Sequence, residues 1–411
     1  MPDSTPLNPD QQDWIAKARA LTPVLAAAAP RIEEARELPG DVLDALHGAK
    51  LFRMLLPRSI GGAELDLGSF FQVIGAIAEG DASAAWCMVQ NSGCSLSAAY
   101  MAPADAKHVF GDARAVLAWG FPAGPCRAVP VAGGWKVTGT WGFGSGNRHS
   151  TWLGGHCQLS DESGKLLSDA AGEPVDRTML FPRSAATIKD DSWNVVGLRG
   201  TGSDTYSVSG LFVPAGQAVV ARATGRDQVG VDAGGLTEPE RRETGILYRF
   251  TATNVYQCGF AAVGLGLARA MLDAFVALAA KKTPQGTSTP LRDSQWIQSR
   301  IAISEARLGA ARAWILQILR DMRDECTAGG YISFEQRIRL RLAATHAIQQ
   351  AREVVEASYA DAGATAIFES GPFERRLRDM HAVSQQIQAS TVHYQSVGQY
   401  YLGLTPNLRF I

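Results

Sequence analysis

Gly139-Thr-Trp-Gly-Phe-Gly-Ser-Gly-Asn-Arg-His-Ser-Thr-Trp152 is the stretch that decides the fold, because alternating strand text there runs into a glycine-rich turn. Its four glycines let the backbone approach a partner closely. Trp141, Phe143 and Trp152 offer flat apolar faces on which a planar ring can stack, and Ser145 and His149 add hydrogen-bonding groups. These residues together predict a bound aromatic cofactor.

Outward from this turn, short apolar runs separated by Gly and Pro occupy 115–121, 127–131, 135–142, 151–158, 178–182, 193–196 and 205–213. Period-two runs of this length predict an antiparallel barrel or sandwich, with 161–176 as a hairpin tip. Upstream, the text is helical. Asn8-Pro-Asp-Gln caps a helix running towards Leu38, and further helices are predicted over 41–54, 67–79, 83–100 and 103–110. Downstream, long helical stretches at 244–280, 293–328, 333–360 and 374–402 predict a four-helix bundle, the third opened by the capping box Ser333-Phe-Glu-Gln336. The expected domains are a helical one over 1–114, a β domain over 115–225 and the bundle over 226–411.

Composition restricts the function classes. The chain has 411 residues, 46% apolar and 19% charged, with a net charge of −1, which is ordinary for a globular protein of two or three domains. That balance gives no reason to expect nucleic acid or an anionic membrane as partner. Six cysteines, Cys87, Cys94, Cys126, Cys157, Cys258 and Cys326, are too scattered for a zinc site or a disulfide framework. Reduced thiols, no metal and a cytoplasmic location are expected. Met1-Pro-Asp-Ser-Thr-Pro carries no basic-then-apolar signal pattern. Only 256–280 is apolar enough to raise a membrane span, and Arg269, Asp273, Gly259, Gly264 and Gly266 suit a close-packed core helix instead.

Gly197-Leu-Arg-Gly-Thr-Gly-Ser203 reads in two ways. It is a tight β turn, or its glycines clear space for a ligand to which Arg199, Thr201 and Ser203 donate. No P-loop or dinucleotide fingerprint accompanies it.

Three segments carry a family resemblance: Ile77-Ala-Glu-Gly-Asp-Ala-Ser-Ala-Ala-Trp86; Gly139-Thr-Trp-Gly-Phe-Gly-Ser-Gly146 with His149; and Trp193-Asn-Val-Val-Gly-Leu-Arg-Gly-Thr-Gly-Ser-Asp204, with Phe212-Val-Pro214 beyond it. With the domain order, they make the chain resemble the acyl-CoA dehydrogenase superfamily of flavoproteins, most of all its two-component flavin-dependent monooxygenase (group D hydroxylase) branch. The resemblance implies an acyl-CoA dehydrogenase-like fold and a homotetramer. It also implies FMNH2 or FADH2 delivered by a separate NAD(P)H:flavin reductase, and molecular oxygen captured as a flavin C4a-hydroperoxide. The implied substrate is a small aromatic or heterocyclic compound.

The same resemblance assigns residues. Ser145 is expected to hydrogen-bond the flavin near N5 and O4, in a dry pocket to which Trp141, Phe143 and Gly146 contribute. Trp193, Arg199, Thr201 and Ser203 are placed beside the flavin and the substrate entrance. Gln295 is expected to reach the adenine-nucleotide part of a flavin in a neighbouring subunit. Arg378-Asp379 matches the signature before the last helix. Acyl-CoA dehydrogenases place a catalytic Glu just after it, whereas 380–411 contains no Asp or Glu. The oxygenase branch places a His eight residues after the Arg, where this chain has Gln386, and another pocket His where it has the Gln90–Cys94 stretch. His393 or His381 could substitute, His393 being better spaced, and His393 or His149 is the expected proton donor or acceptor. Two alternatives follow: an acyl-CoA dehydrogenase or flavin oxidase using oxidised FAD with its base elsewhere, and a catalytically silent protein of this fold.

Overall fold

The structure, a computed structural model, describes residues 9–168, 172, 174–220 and 242–406. The first helical region folds as α1 (Pro9–Ala35), α2 (Gly40–Gly48), α3 (Leu67–Gly80), α4 (Ala82–Ser95) and α5 (Pro103–Phe110). Asp66 caps α3 by accepting from the Gly68 and Ser69 N–H groups, and Asp81 caps α4 through Ala84 N–H, so both helices start where a short acidic side chain satisfies the first free donors. The helix predicted over 41–54 is interrupted: Lys50 turns left-handed at φ 61°, and a 3₁₀ turn, Leu51–Arg53, follows. Likewise α4 ends at Ser95 and continues as the 3₁₀ turn Leu96–Tyr100.

Among the described residues, the middle region forms one sheet of nine strands: β1 (Leu117–Trp119), β2 (Phe121–Pro122), β3 (Arg127–Val131), β4 (Gly134–Gly142), β5 (Trp152–Leu159), β6 (Asp176–Pro182), β7 (Thr187–Lys189), β8 (Thr205–Pro214) and β9 (Ala218–Val220). The order is β7-β8-β4-β3-β5-β6-β9, with β1 on β5 and β2 on β4. The sheet is mixed, which corrects the antiparallel expectation: β1 and β3 both pair with β5 in parallel. The cause is the turn over 143–151. It reverses the chain after β4, so β5 runs with β3 and pairs on its far side, β4 having already taken the near one. The run over 193–196 is loop rather than strand. The buried face of the sheet packs Val137, Trp141, Leu153, Met179, Phe181 and Tyr206 into one apolar cluster.

The last region contains α6 (Ala252–Ala279), α7 (Gln295–Thr327), α8 (Phe334–Ala362), α9 (Phe373–Ser384) and α10 (Val392–Tyr401). The predicted fourth bundle helix is therefore two shorter helices with the 3₁₀ turn Ile387–Ala389 between them. The break comes from Gln386, whose backbone is extended and whose side chain accepts from Gln388 N–H, capping the new turn. Three side chains grip that turn by its carbonyls: Thr345 Oγ1 donates to Gln388 O at 3.0 Å, Gln349 Nε2 to Ala389 O at 2.8 Å, and His393 Nε2 to Ile387 O at 2.7 Å. By length and composition α6 could cross a membrane, yet 61% of its most apolar window is buried, against α3, α4 and α8. The expected domain boundary at 225–226 lies outside the described residues.

Candidate functional site

A cavity of about 710 Å³ opens where all three regions meet. From α4 come Trp86 and Gln90, and from the β region Trp119, the 143–145 turn and His156. The 193–198 loop closes one side, α6 adds Tyr256 and Phe260, and Gln385 to Gln388 form the wall opposite. Its faces are aromatic. Trp86 lies 4.1 Å from Phe260 between ring centroids, Tyr256 stacks on Phe260 at 5.8 Å, and Phe143 meets Trp193 edge-on at 5.8 Å. Phe143 is 65% exposed and has a φ of 58°, and Leu198 on the same wall has a φ of 54°. Left-handed bulky residues are strained, and such strain concentrates at ligand sites.

At the centre of the wall, Ser145 sits in a directed chain of hydrogen bonds. Trp86 Nε1 donates to Ser145 Oγ at 3.1 Å, Ser145 and Ser203 hydroxyls are 2.7 Å apart, and Ser203 and Thr201 hydroxyls are also 2.7 Å apart. The Thr201 hydroxyl donates to the Leu198 carbonyl at 2.8 Å. A hydroxyl has one hydrogen to give. Thr201 gives its own to Leu198, so Ser203 donates to Thr201 and Ser145 donates to Ser203. Ser145 accepts from Trp86 and keeps one lone pair free, on a residue that lines the cavity.

Of the residues expected at the site, Phe143, Ser145 and Trp193 line the cavity. Thr201 and Ser203 stand behind Ser145 and reach the cavity only through it. The rest lie elsewhere. Trp141 is fully buried inside the sheet, stacked on Tyr206 at 5.6 Å with its Nε1 donating to His156 O at 3.0 Å. Gly155 makes room for it: a Cβ there would fall 2.5 Å from the indole. The glycines of 197–203 serve the protein in the same way, since a Cβ at Gly197 would meet Arg378 O at 2.1 Å and one at Gly200 would meet Ile32 at 2.2 Å. Arg199 faces Glu33 of α1 at 3.7 Å. Gly146 turns at φ 78° against Asn91. Gln295 is exposed at the start of α7, away from this cavity.

Neither expected histidine borders the cavity. Asn91 Nδ2 donates to Leu117 O, so its Oδ1 accepts from His149 Nε2 at 3.1 Å, while Phe52 covers the ring at 5.6 Å. Burial, then the neighbouring His47 and Arg183, pushes His149 down to about 3. His393 is held to the Ile387 carbonyl, and burial beside Arg341 pushes it to about 4. His381 is a half-exposed neighbour of Glu356 at 3.9 Å. His393 thus positions the wall turn rather than exchanging protons in the cavity.

Family models agree with this architecture: "Acyl-CoA dehydrogenase, N-terminal domain" matches residues 8–108, and "Acyl-CoA dehydrogenase, C-terminal domain" matches 258–391, together more than half of the chain. The chain belongs to the acyl-CoA dehydrogenase family. The flavin-dependent monooxygenase oxygenase subunit HsaA of Rhodococcus jostii is 29% identical over 368 residues, 88% of this chain and 91% of that relative. An indole-3-acetate monooxygenase of Pseudomonas putida is 28% identical over 374 residues, 90% of this chain and 89% of the relative. The crystal structure of the HsaA monooxygenase from M. tuberculosis matches with a TM-score of 0.84 at 26% identity, covering 98% of this chain and 100% of that one.

Within this family fold, the wall includes residues that sequence reading did not single out. His156 on β5 bonds Thr178 Oγ1 through Nδ1 at 2.8 Å, sits 5.3 Å from the Trp119 ring, and is pushed by burial to about 4. Thr253 and Tyr256 on α6 and Gln385 and Gln388 after α9 add further polar groups, beside Gln90 and Gln386, which stand where the resemblance placed histidines. Period-two alternation in 152–159 marked β5, but an inward His in a strand reads as core until its neighbours are known. Opposite, Arg378 and Asp379 of α9 fasten the 193–198 loop: Arg378 Nη1 donates to Val196 O at 2.7 Å, and Leu198 N donates to Asp379 Oδ1 at 2.6 Å.

Proposed function

We propose that the chain is the oxygenase component of a two-component, reduced-flavin-dependent monooxygenase that hydroxylates a small aromatic or heterocyclic substrate. The observation that carries this reading is the lone pair of Ser145. A reduced isoalloxazine bears a ring N–H at the position where the oxidised ring bears an acceptor, so an acceptor-only hydroxyl in an aromatic cavity suits the reduced form. When bound, the reduced flavin supplies the electrons with which oxygen is activated. Phe143 and Trp193 would hold the ring at the mouth, Ser145 would fix its polar edge, and the aromatic walls exclude water.

No Asp or Glu lines the cavity among the described residues. An acyl-CoA dehydrogenase needs a carboxylate base there, so the oxidised-FAD alternative lacks its central group. His156, neutral in its buried site, is the basic side chain on the wall and is assigned the proton exchange with substrate. The aromatic cavity and the intact Ser145 chain also speak against a silent protein.

A separate NAD(P)H:flavin reductase is the partner that this reading requires, with FMNH2 or FADH2 as the shuttled cofactor. We assign the protein to the cytoplasm and to a homotetramer, in which the exposed Gln295 of one subunit would meet the nucleotide end of its neighbour's flavin. The test is anaerobic titration with reduced and oxidised FMN and FAD, followed by exposure to ¹⁸O₂ with aromatic substrates. Tighter binding of reduced flavin and one labelled oxygen in the product are expected. Tightly held oxidised FAD that an acyl-CoA bleaches would overturn the proposal.

A further inference from the structure

We infer that Thr178 is a positioning residue for this site: its hydroxyl donates to Nδ1 of His156, so the hydrogen of the neutral imidazole sits on Nε2 and His156 meets the substrate as a hydrogen-bond donor. The inference rests on the monooxygenase reading and gives the proton exchange assigned to His156 its starting state.

The two side chains are cross-strand neighbours. In the antiparallel ladder His156 of β5 lies opposite Thr178 of β6, and by alternation both leave the sheet on the face away from the Trp141 cluster. Gly154 is two residues earlier on that same face. A Cβ there would fall 3.2 Å from Cγ2 of Thr178 and 3.1 Å from the Trp119 ring, so its absence gives the Thr178 methyl a seat. A β-branched side chain has little freedom at χ1. With the methyl seated over Gly154, the hydroxyl is turned to His156, and Oγ1 and Nδ1 are 2.8 Å apart. Trp119 meets the imidazole at 5.3 Å and is itself tied down by Gln90, whose Nε2 donates to Trp119 O at 3.3 Å.

Hydrogen accounting fixes the tautomer. Thr178 is 2% exposed, and among the described residues Nδ1 of His156 is the one partner of its hydroxyl. Were the ring hydrogen on Nδ1, the Thr178 hydrogen would have no acceptor, and a buried donor without one is costly. Donation from Thr178 to Nδ1 satisfies both atoms. Burial pushes His156 down to about 4, so at neutral pH the ring has a single hydrogen, which falls to Nε2. Nε2 bonds none of the described residues and is not among the polar atoms sealed inside the protein, so its open side belongs to the cavity that His156 lines. Ser145 brings a lone pair to this cavity, and His156 brings a hydrogen. A donor fixed before the reaction stabilises negative charge gathering on a substrate oxygen without reorganising.

The experiment uses the full chain labelled with ¹⁵N-histidine. The His156 signals, assigned by their loss in His156→Phe, should show hydrogen on Nε2 and a bare Nδ1 in the parent protein. Thr178→Val should give a mixture of tautomers, and Thr178→Ser should restore the parent spectrum. Calorimetry then compares acetophenone, whose carbonyl only accepts, with ethylbenzene, on protein saturated with reduced flavin under anaerobic conditions. His156→Phe should weaken acetophenone about tenfold and leave ethylbenzene within about twofold, with Thr178→Val between parent and His156→Phe. Hydrogen on Nδ1 in the parent, an unchanged tautomer in Thr178→Val, equal losses for both probes in His156→Phe, or no binding of acetophenone to flavin-loaded protein would each overturn the inference. Failure to bind reduced flavin is a separate result that overturns the monooxygenase reading, while the spectra still decide the Thr178 bond.

Discussion

Ser145 has no hydrogen left for the cavity because Thr201, at the far end of the hydroxyl chain, has committed its own to the Leu198 carbonyl, which makes Ser203 donate to Thr201 and Ser145 donate to Ser203. Ser145→Ala removes the lone pair while leaving the small turn residue in place. Reduced-flavin affinity should fall about tenfold, the worth of a net hydrogen bond of about 1 kcal/mol. The ratio of product formed to oxygen consumed should fall too, the difference appearing as hydrogen peroxide, while the melting temperature moves little. Oxygen-electrode measurements against chromatographic product yield check this, and unchanged coupling would remove Ser145 from its assigned role. At this scale the glycine-rich turn after a strand pointed to Phe143 and Ser145, and the family resemblance pointed to Trp193; all three line the cavity. The turn was misleading about Trp141. Gly139 and Gly155 announce an approaching flat ring equally well when that ring belongs to the protein, and here each would place a Cβ within 2.7 Å of Trp141.

The 193–198 loop is shaped by an element far away in sequence. Asp379 of α9 is buried, and burial followed by repulsion from Asp81 pushes its carboxyl up to about 7. Even so, it holds the Leu198 N–H that fixes the wall. Asp379→Ala leaves that donor unpaired and should destabilise the protein by about 1–3 kcal/mol in urea unfolding. Asp379→Asn keeps an acceptor and removes the titration, so it should lie much closer to the parent protein. Equal losses in the two variants would show that the bond to Leu198 carries no weight. Helices α1, α3, α6, α7 and α8 were readable from caps and periodicity, since long amphipathic or apolar stretches leave few alternatives. The short strands β7 and β9 span three residues each, too few for a period to register. The split of the last helix depends on Gln386 folding back on its own turn, which no propensity scale records.

Over the whole molecule, acid sensitivity follows from four imidazoles. His47, His149, His156 and His393 are pushed from 6.5 to about 4, 3, 4 and 4, each mainly by burial. Below pH 6.5 the unfolded chain binds protons that the folded chain refuses, so stability rises with pH through that window and levels off above it. Asp379 acts in the opposite sense between its ordinary 3.8 and about 7, where the folded state holds the extra proton, and Asp81 and Glu79, both raised by burial, act with it. With His346 also lowered by burial, the imidazoles outnumber these three carboxyls, and the melting temperature should climb from about pH 4.5 to 6.5 in scanning calorimetry; a flat profile would show that these imidazoles are hydrated. The order of helical, β and helical regions was legible because it depends on local texture. The cavity wall was not, because it joins side chains from α4, β5, α6 and the 385–388 turn whose meeting is a product of tertiary packing. That turn is gripped by Thr345, Gln349 and His393 through main-chain carbonyls, which every amino acid possesses. Ile387 and Gln388 can therefore be substituted without removing the bonds that hold their turn, so variation at these two codons can reshape one wall of the cavity while the Ser145 side stays unchanged.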